Sequence, residues 1–152
     1  MKKTILLALV ICICLVKSNA QFLSEKKEIN AFSLSNAVLY VDSNDAALVK
    51  KSAELFQQDF ENVTGRKIPL SFNNTVRSKT VIIIGSVAQS SLIKQLEQQK
   101  KLSTASINNK WEAYQIQTIT NPFKGVEQAL VITGSDRRGT AYAVFECSKQ
   151  MG

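Results

Sequence analysis

The chain contains no histidine, and its 152 residues include only three cysteines, two prolines and a single tryptophan. The absence of histidine excludes the Ser–His and Cys–His pairs of nucleophilic catalysis and removes the commonest side-chain ligand of transition metals. Cys12 and Cys14 lie in an apolar N-terminal stretch, so the rest of the chain keeps only Cys147. One cysteine forms neither an internal disulfide nor a thiolate cluster, and on an apolar helical face it indicates core packing. No metal and no cofactor is expected, and any catalysis would have to rest on carboxylates.

The chain is also short. A length of 152 residues with 45% hydrophobic residues suits one domain with its own core. It is too short for a domain followed by a complete (β/α)8 barrel, which needs about 250 residues. One domain is therefore expected.

The first twenty residues, MKKTILLALVICICLVKSNA, have the pattern of a signal peptide. Lys2 and Lys3 precede an apolar run, and small residues, the last of them Ala20, stand where a signal peptidase cuts. The apolar run is shorter than the roughly 20 residues that span a bilayer. We therefore expect export to the periplasm or the extracellular space, with no stable membrane anchor.

The charge is positive but dispersed. The 19 Lys and Arg residues exceed the 12 Asp and Glu residues, and loss of residues 1–20 would lower the net charge from +7 to +4. The basic residues occur as scattered pairs with acidic residues between them. A nucleic-acid-binding protein concentrates its basic residues on one face, so no nucleic-acid partner is expected.

Hydrophobic patterns predict an α/β (α+β) fold, a mixed β-sheet with about three packed helices in the order β-α-β-β-α-β-β-α. Residues 21–36 are polar and aperiodic, and are expected to form a leader or linker to the domain at residues 37–152. Pro69 marks the second strand as an edge strand. The last two strands are expected to pair antiparallel. Strands are predicted at residues 37–41, 67–72, 80–85, 111–120 and 128–134.

The helices are predicted from apolar residues at helical spacing. Gly65 is placed to cap the first helix at its C-terminus. Ser86 and Gln89 have the spacing of a capping box, which predicts the start of the second helix. The third is expected from Arg137 to Met151. The first helix is expected to bury Val49, Ala53, Phe56, Phe60 and Val63, and the third to bury Ala141, Val144, Phe145 and Ser148.

The loop before the third helix, GSDRRGT, resembles a phosphate-binding loop. Gly134 and Gly139 have the required spacing and Thr140 follows, but the lysine that neutralises the phosphates is missing. Asp136 adds a negative charge where a phosphate would bind. No nucleotide is therefore expected, and Ser135 or Asp136 is predicted to be the N-cap of the helix.

The acids that stand out are Glu112, next to Trp111, and Asp136. A glycosidase needs two carboxyl groups on either side of a sugar, and nothing in the sequence brings these two together. We predict that Glu112 is a surface residue at the start of a strand, that Trp111 packs at a rim, and that Arg137 and Arg138 lie on the surface.

Several segments, in this order and spacing, resemble the N-terminal domain of glycoside hydrolase family 115. The resemblance covers residues 37–152 and rests on the stretches VIIIGSVAQSSLIKQL, KWEAYQIQ, NPFKGVEQALVI and GSDRRGTAYAVFE. It implies an α/β domain like those that precede the (β/α)8 barrels of several glycosidase families. It also implies an exported α-glucuronidase, which removes glucuronic acid or its 4-O-methyl form from glucuronoxylan, with the catalytic residues in the barrel.

The resemblance therefore transfers no catalytic residue to this chain. Asp136, Arg137 and Arg138 match the family's loop in the domain that adjoins the barrel, which makes them candidate substrate-binding residues. Ala143 stands where relatives are expected to have glycine, and Cys147 where an aliphatic residue is commoner. Both differences indicate altered packing and unchanged chemistry.

Two functions remain open. In the first, the chain is the N-terminal portion of an α-glucuronidase, is non-catalytic alone, and meets glucuronoxylan or a related polysaccharide through a barrel that this sequence lacks. In the second, it is a stand-alone exported module that binds a polysaccharide or a protein.

Export carries a direct prediction. The signal peptide should be cleaved after Ala20, so the intact mass of the exported product should correspond to a chain that begins at Gln21. A product that retains Met1 in the membrane fraction would contradict this prediction.

Overall fold

The computed structural model describes residues 32–152 and the backbone of a two-residue strand, Leu23–Ser24. The predicted signal peptide and its cleavage site at Ala20 and Gln21 lie outside the described residues. The strands are β1 (Leu23–Ser24), β2 (Phe32–Ser33), β3 (Val38–Val41), β4 (Leu70–Ser71), β5 (Thr80–Ser86), β6 (Tyr114–Thr120) and β7 (Gln128–Gly134). The helices are α1 (Ala47–Thr64), α2 (Ser91–Gln98) and α3 (Arg137–Met151).

Five strands form one mixed sheet in the order β4-β3-β5-β7-β6. Its first four strands are parallel, and β6 pairs antiparallel with β7, with Tyr114 opposite Gly134 and Thr120 opposite Gln128. β1 and β2 form a separate parallel pair. The predicted α/β fold, with a mixed sheet and three helices, is confirmed. The edge position of the strand after Pro69 is also as predicted, although that strand is only two residues long.

The central strands are covered on both faces, because their side chains alternate between two apolar clusters. One cluster lies beneath α1 and α3, and the other lies beneath α2. From β5 and β7, the first cluster takes Ile82, Ile84, Leu130 and Ile132, and the second takes Val81, Ile83, Ala129 and Val131. This explains the continuous β-branched runs in the sequence.

The packed faces of the helices differ in part from those predicted. Val63, in the last turn of α1, is exposed, whereas the other four predicted residues of α1 are buried. On α3, Phe145 is 43% exposed, contrary to the prediction, whereas Cys147 is buried as predicted, because Ala143, Val144 and Cys147 form the face against the sheet and α1. Burial raises the pKa of the Cys147 thiol to about 12, so this cysteine packs as an apolar residue.

The predicted start of α2 is wrong. The helix begins at Ser91, and its N-cap is Ser90, whose side chain accepts a hydrogen bond from the backbone of Ile93. Ser86 belongs to the end of β5, where its hydroxyl donates to Asp45 at 2.7 Å. A buried tertiary hydrogen bond therefore takes the side chain that the local pattern assigned to a cap.

The packed domain begins before residue 37. Phe32 and Leu34 lie within the predicted leader, yet each is 3% exposed and belongs to the cluster beneath α1 and α3. These two apolar side chains pack into the core although the segment around them is mostly polar. Among the described residues, no helix has both the length and the apolar character needed to cross a membrane.

Two glycines let α3 approach the sheet closely. A Cβ on Gly134 would overlap the backbone nitrogen of Thr140, and a Cβ on Gly139 would overlap the carbonyl oxygen of Ala113. Both obstacles are backbone atoms, which cannot rotate away. The first turn of α3 therefore rests directly on the end of β7 and on the segment before β6.

This close approach predicts that replacing Gly139 by alanine lowers the stability of the domain, whereas the same change in an open helix raises it. In an open helix, Gly→Ala stabilises by about 0.5–1 kcal/mol. Gly139→Ala should instead destabilise by about 1–3 kcal/mol, because the methyl group has no space beside Ala113. Denaturant unfolding of the two chains measures the difference, and a stabilised variant would contradict the close approach.

Candidate functional site

The carboxyl ends of the parallel strands β3 and β5 lie where open α/β sheets usually bind ligands. Here the position is filled by the chain's own carboxylates. Asp45, 3% exposed, accepts hydrogen bonds from the backbone N–H of Ser86 at 2.8 Å and from its hydroxyl at 2.7 Å. The carboxylate thus joins the loop after β3 to the end of β5.

Asp42 makes a second such connection. It accepts hydrogen bonds from the backbone N–H of Ser91, at 2.7 Å, and from the Ser91 hydroxyl, and so caps α2 from a distant segment. Burial raises the pKa of Asp42, but hydrogen bonds from Ser91 and Asn44 and the charge of Lys94 outweigh it, so that the pKa lies below its ordinary value. Both aspartates therefore act structurally. The available signal in the sequence was the position of both acids in the segment directly after a buried strand.

The second cluster of polar side chains lies at the N-terminus of α3. Asp136 is the N-cap: its Oδ1 accepts the backbone N–H groups of Arg138 and Gly139, both at 2.8 Å, and its Oδ2 accepts the N–H of Glu112 at 2.9 Å. Ser135 was the other predicted cap, but its N–H and hydroxyl donate to the carbonyl of Ala113. Asp136 thus ties the start of α3 to the segment before β6.

This arrangement sets the charge at the helix terminus. Burial raises the pKa of Asp136. The hydrogen bonds from Gly139, Glu112 and Arg138 and the charge of Arg138 outweigh that effect, so the pKa lies below its ordinary value of 3.8. The carboxylate accepts the N–H groups that a phosphate would use at a helix N-terminus. This supports the expectation that no nucleotide binds, which stays a prediction.

Arg138 connects the neighbouring side chains. Its Nε lies 2.9 Å from Oε1 of Glu112, and its Cζ lies 5.9 Å from the centre of the Trp111 ring, within the range of a cation–π contact. Its guanidinium also donates to the Tyr142 hydroxyl at 3.5 Å. The hydrogen bond to Tyr142 and the charge of Glu112 raise the pKa of Arg138.

We name these residues, Trp111, Glu112, Arg138 and Tyr142, the Trp111 surface. Trp111 is 79% exposed and Tyr142 is 42% exposed. Of the residues singled out in the sequence, Trp111, Glu112, Asp136 and Arg138 are brought together, while Arg137 is exposed and has no ion-pair partner among residues 32–152. Tyr142 was missed, although it lies one helical turn after Arg138.

The carboxylates near this surface are already engaged. Asp136 receives backbone N–H groups with both oxygens, and Glu112 pairs with Arg138. Within the described part of the chain, no three histidine, cysteine, aspartate or glutamate side chains come close enough to hold a metal ion. The arrangement is suited to binding a ligand through the ring of Trp111 and the guanidinium of Arg138.

The comparisons with known proteins agree with this fold. No family model and no curated protein matches the sequence. A solved structure that resembles this one is a family GH115 4-O-methyl-α-glucuronidase with specificity for decorated arabinogalactans; it is 27% identical, with a TM-score of 0.54 over 74% of this chain. The chain spans only 13% of that protein. A distant GH115-like resemblance over one small part of a larger enzyme is therefore shown.

The cap carries a prediction about stability. Asp136→Ala should destabilise the domain by about 0.5–2 kcal/mol at neutral pH, because backbone N–H groups lose their acceptor. The pKa of Asp136 is lower in the folded state than in the unfolded state. Its contribution to the free energy of unfolding is therefore complete above about pH 4, and it is lost as the pH falls from 3.8 to the pKa of the folded state and below. The difference between the two chains should therefore shrink in acid.

Denaturant unfolding from pH 7 to pH 2.5 measures this difference. Asp59→Ala removes a carboxylate from α1 that caps nothing, and should change stability by less than about 0.5 kcal/mol. Equal effects of Asp136→Ala and Asp59→Ala would show that Asp136 is not the cap.

Proposed function

We propose that this chain is the N-terminal, non-catalytic portion of an exported α-glucuronidase that acts on a polysaccharide decorated with glucuronic acid or its 4-O-methyl form. The observation that carries the proposal is the shared fold with a GH115 glucuronidase at 27% identity. That enzyme acts on decorated arabinogalactans. Glucuronoxylan, implied by the sequence resemblance, is the second substrate that we propose.

The state of the carboxylates supports a non-catalytic role. Hydrolysis of a glycosidic bond needs one carboxyl group to protonate the leaving oxygen and a second group on the other side of the sugar. Asp42, Asp45 and Asp136 each accept hydrogen bonds that hold the fold together. For Asp45, whose bonds to Ser86 are buried, loss of this role would leave buried donors without a partner, at a cost of about 1–3 kcal/mol.

The proposal places catalysis elsewhere in the enzyme. The match covers a small fraction of the glucuronidase, so most of that protein has no counterpart among these 152 residues. Export is part of the proposal because the proposed polysaccharide substrates lie outside the cell. It rests on the signal-peptide pattern of residues 1–20. A stand-alone binding module is the second candidate function, and the 79% exposure of Trp111 favours it.

The experiment tests whether this chain can replace the matching segment of the GH115 glucuronidase. The matching segment of the arabinogalactan-specific glucuronidase is replaced by this chain, and the release of 4-O-methylglucuronic acid from decorated arabinogalactan is measured by chromatography. The chimera should be active, whereas this chain alone should release no uronic acid from arabinogalactan or glucuronoxylan, because the carboxylates of its two polar clusters already hold hydrogen bonds or an ion pair.

Two controls make the result decisive. The glucuronidase with the segment deleted should be inactive, and circular dichroism should show that the chimera is folded. A folded chimera that is no more active than the deletion would contradict the proposal. Turnover by this chain alone that Glu112→Gln or Asp136→Asn abolishes would contradict the non-catalytic role.

A further inference from the structure

We propose that the Trp111 surface, together with Arg137, binds a saccharide that carries uronic acid residues. The choice of saccharide rests on the proposed function. The site itself rests on the exposure and the contacts of the side chains around Trp111.

Trp111 is the least buried large apolar side chain that the structure describes, at 79% exposure. Aromatic side chains normally bury 150–250 Å² and stabilise the fold by doing so. Trp111 contributes little of this kind, since most of its ring faces solvent. A single exposed apolar residue is common on protein surfaces, so the site rests on this ring together with the polar side chains around it.

The ring is displayed on a rigid support. Arg138 lies against it and also contacts Glu112 and Tyr142. The backbone next to Trp111 is also fixed, because the N–H of Glu112 is bonded to the carboxylate of Asp136. A site held in its binding geometry loses little conformational entropy when the ligand arrives.

The composition of the surface suits a sugar. A pyranose ring has a face of C–H groups that packs on an aromatic ring, and a rim of hydroxyl groups that need polar partners. The Trp111 surface offers one open indole, with the guanidinium of Arg138, the carboxylate of Glu112 and the hydroxyl of Tyr142 beside it. Binding sites for small polar ligands combine an apolar wall with a few such fixed polar groups in this way.

A protein partner fits the same surface less well. A stable protein interface buries about 800 Å² on each side around a core depleted of charge. Here the ion pair between Glu112 and Arg138 stands next to Trp111, and a protein surface would strip both charges of water at a cost of several kcal/mol. Saccharide hydroxyl groups replace that water with equivalent hydrogen bonds.

Charge favours an acidic saccharide. Arg137 is exposed and forms no ion pair with any residue of 32–152, so its positive charge is available to a ligand. The nearby carboxylate of Asp136 is directed to backbone N–H groups. A uronic acid residue brings the carboxylate that Arg137 lacks, and arginine binds carboxylates through a planar fork of donors.

The test measures binding of the full chain to an arabinogalactan that carries glucuronic acid, by titration calorimetry. Trp111→Ala should weaken binding by about tenfold or more, equivalent to the loss of one good contact. Phe72→Ala is the matched control, because it removes another exposed aromatic ring, at the β4 edge of the sheet, and should leave binding unchanged. Neither substitution alters the net charge, so nonspecific attraction between a basic chain and an anionic polymer is the same in both.

Two further measurements test the charge. Arg137→Gln and chemical reduction of the polysaccharide carboxyl groups should each weaken binding by about two- to fivefold, as expected for an exposed ion pair. The two changes together should weaken it no more than either one alone. Full additivity would contradict a contact between Arg137 and the uronic acid.

Three outcomes would overturn the inference: no binding by the unaltered chain, equal binding by the Trp111→Ala and Phe72→Ala variants, or unchanged polysaccharide binding by a Trp111→Ala chain that makes the chimera inactive. The last outcome would identify the surface as a contact with the rest of the enzyme. The activity of the unsubstituted chimera is measured separately, so this inference can fail while the proposed function stands.

Discussion

The approach of α3 to the antiparallel edge of the sheet is the constraint on which the rest of the site depends. Gly139 lets the first turn of the helix rest on the carbonyl of Ala113, and Asp136 then accepts N–H groups from both the helix and Glu112. The carboxylate of Asp136 therefore caps the N-terminus of α3 and also holds the segment before β6 in place. Arg138, Glu112 and Trp111 meet only because these two pieces of chain are fixed against each other.

A similar arrangement lies at the same carboxyl end of the parallel strands, where Ser86 of β5 stands opposite Gly134 of β7. Asp42 and Asp45 join the loop after β3 to α2 and to the end of β5. These carboxylates fill the crevice in which many α/β proteins bind a nucleotide. The binding surface that we propose lies beside β6, at the edge of the sheet, where Trp111 is exposed.

Much of the fold could be predicted from sequence, because its signals are local. Buried parallel strands need continuous apolar residues, α1 needs apolar residues at helical spacing, and Gly65 has the positive φ of 71° that a helix C-cap favours. The failed prediction for the start of α2 involves a residue whose partner is distant along the chain. Ser86 is held by Asp45, 41 residues away, and no local pattern contains that contact. The Trp111 surface likewise depends on the hydrogen bond between Asp136, at the start of α3, and Glu112, in the segment before β6, which are 24 residues apart.

The central claim is that this junction presents a fixed saccharide-binding surface. Trp111 is the only tryptophan in the chain, so its indole N–H gives one resolved signal in a proton–nitrogen NMR spectrum. Titration with a glucuronic acid-bearing oligosaccharide is the most direct measurement. The account predicts saturable shifts of that signal and of the backbone amides at 111–113 and 136–142. Shifts confined to other parts of the domain, with the indole signal unchanged at saturation, would contradict it.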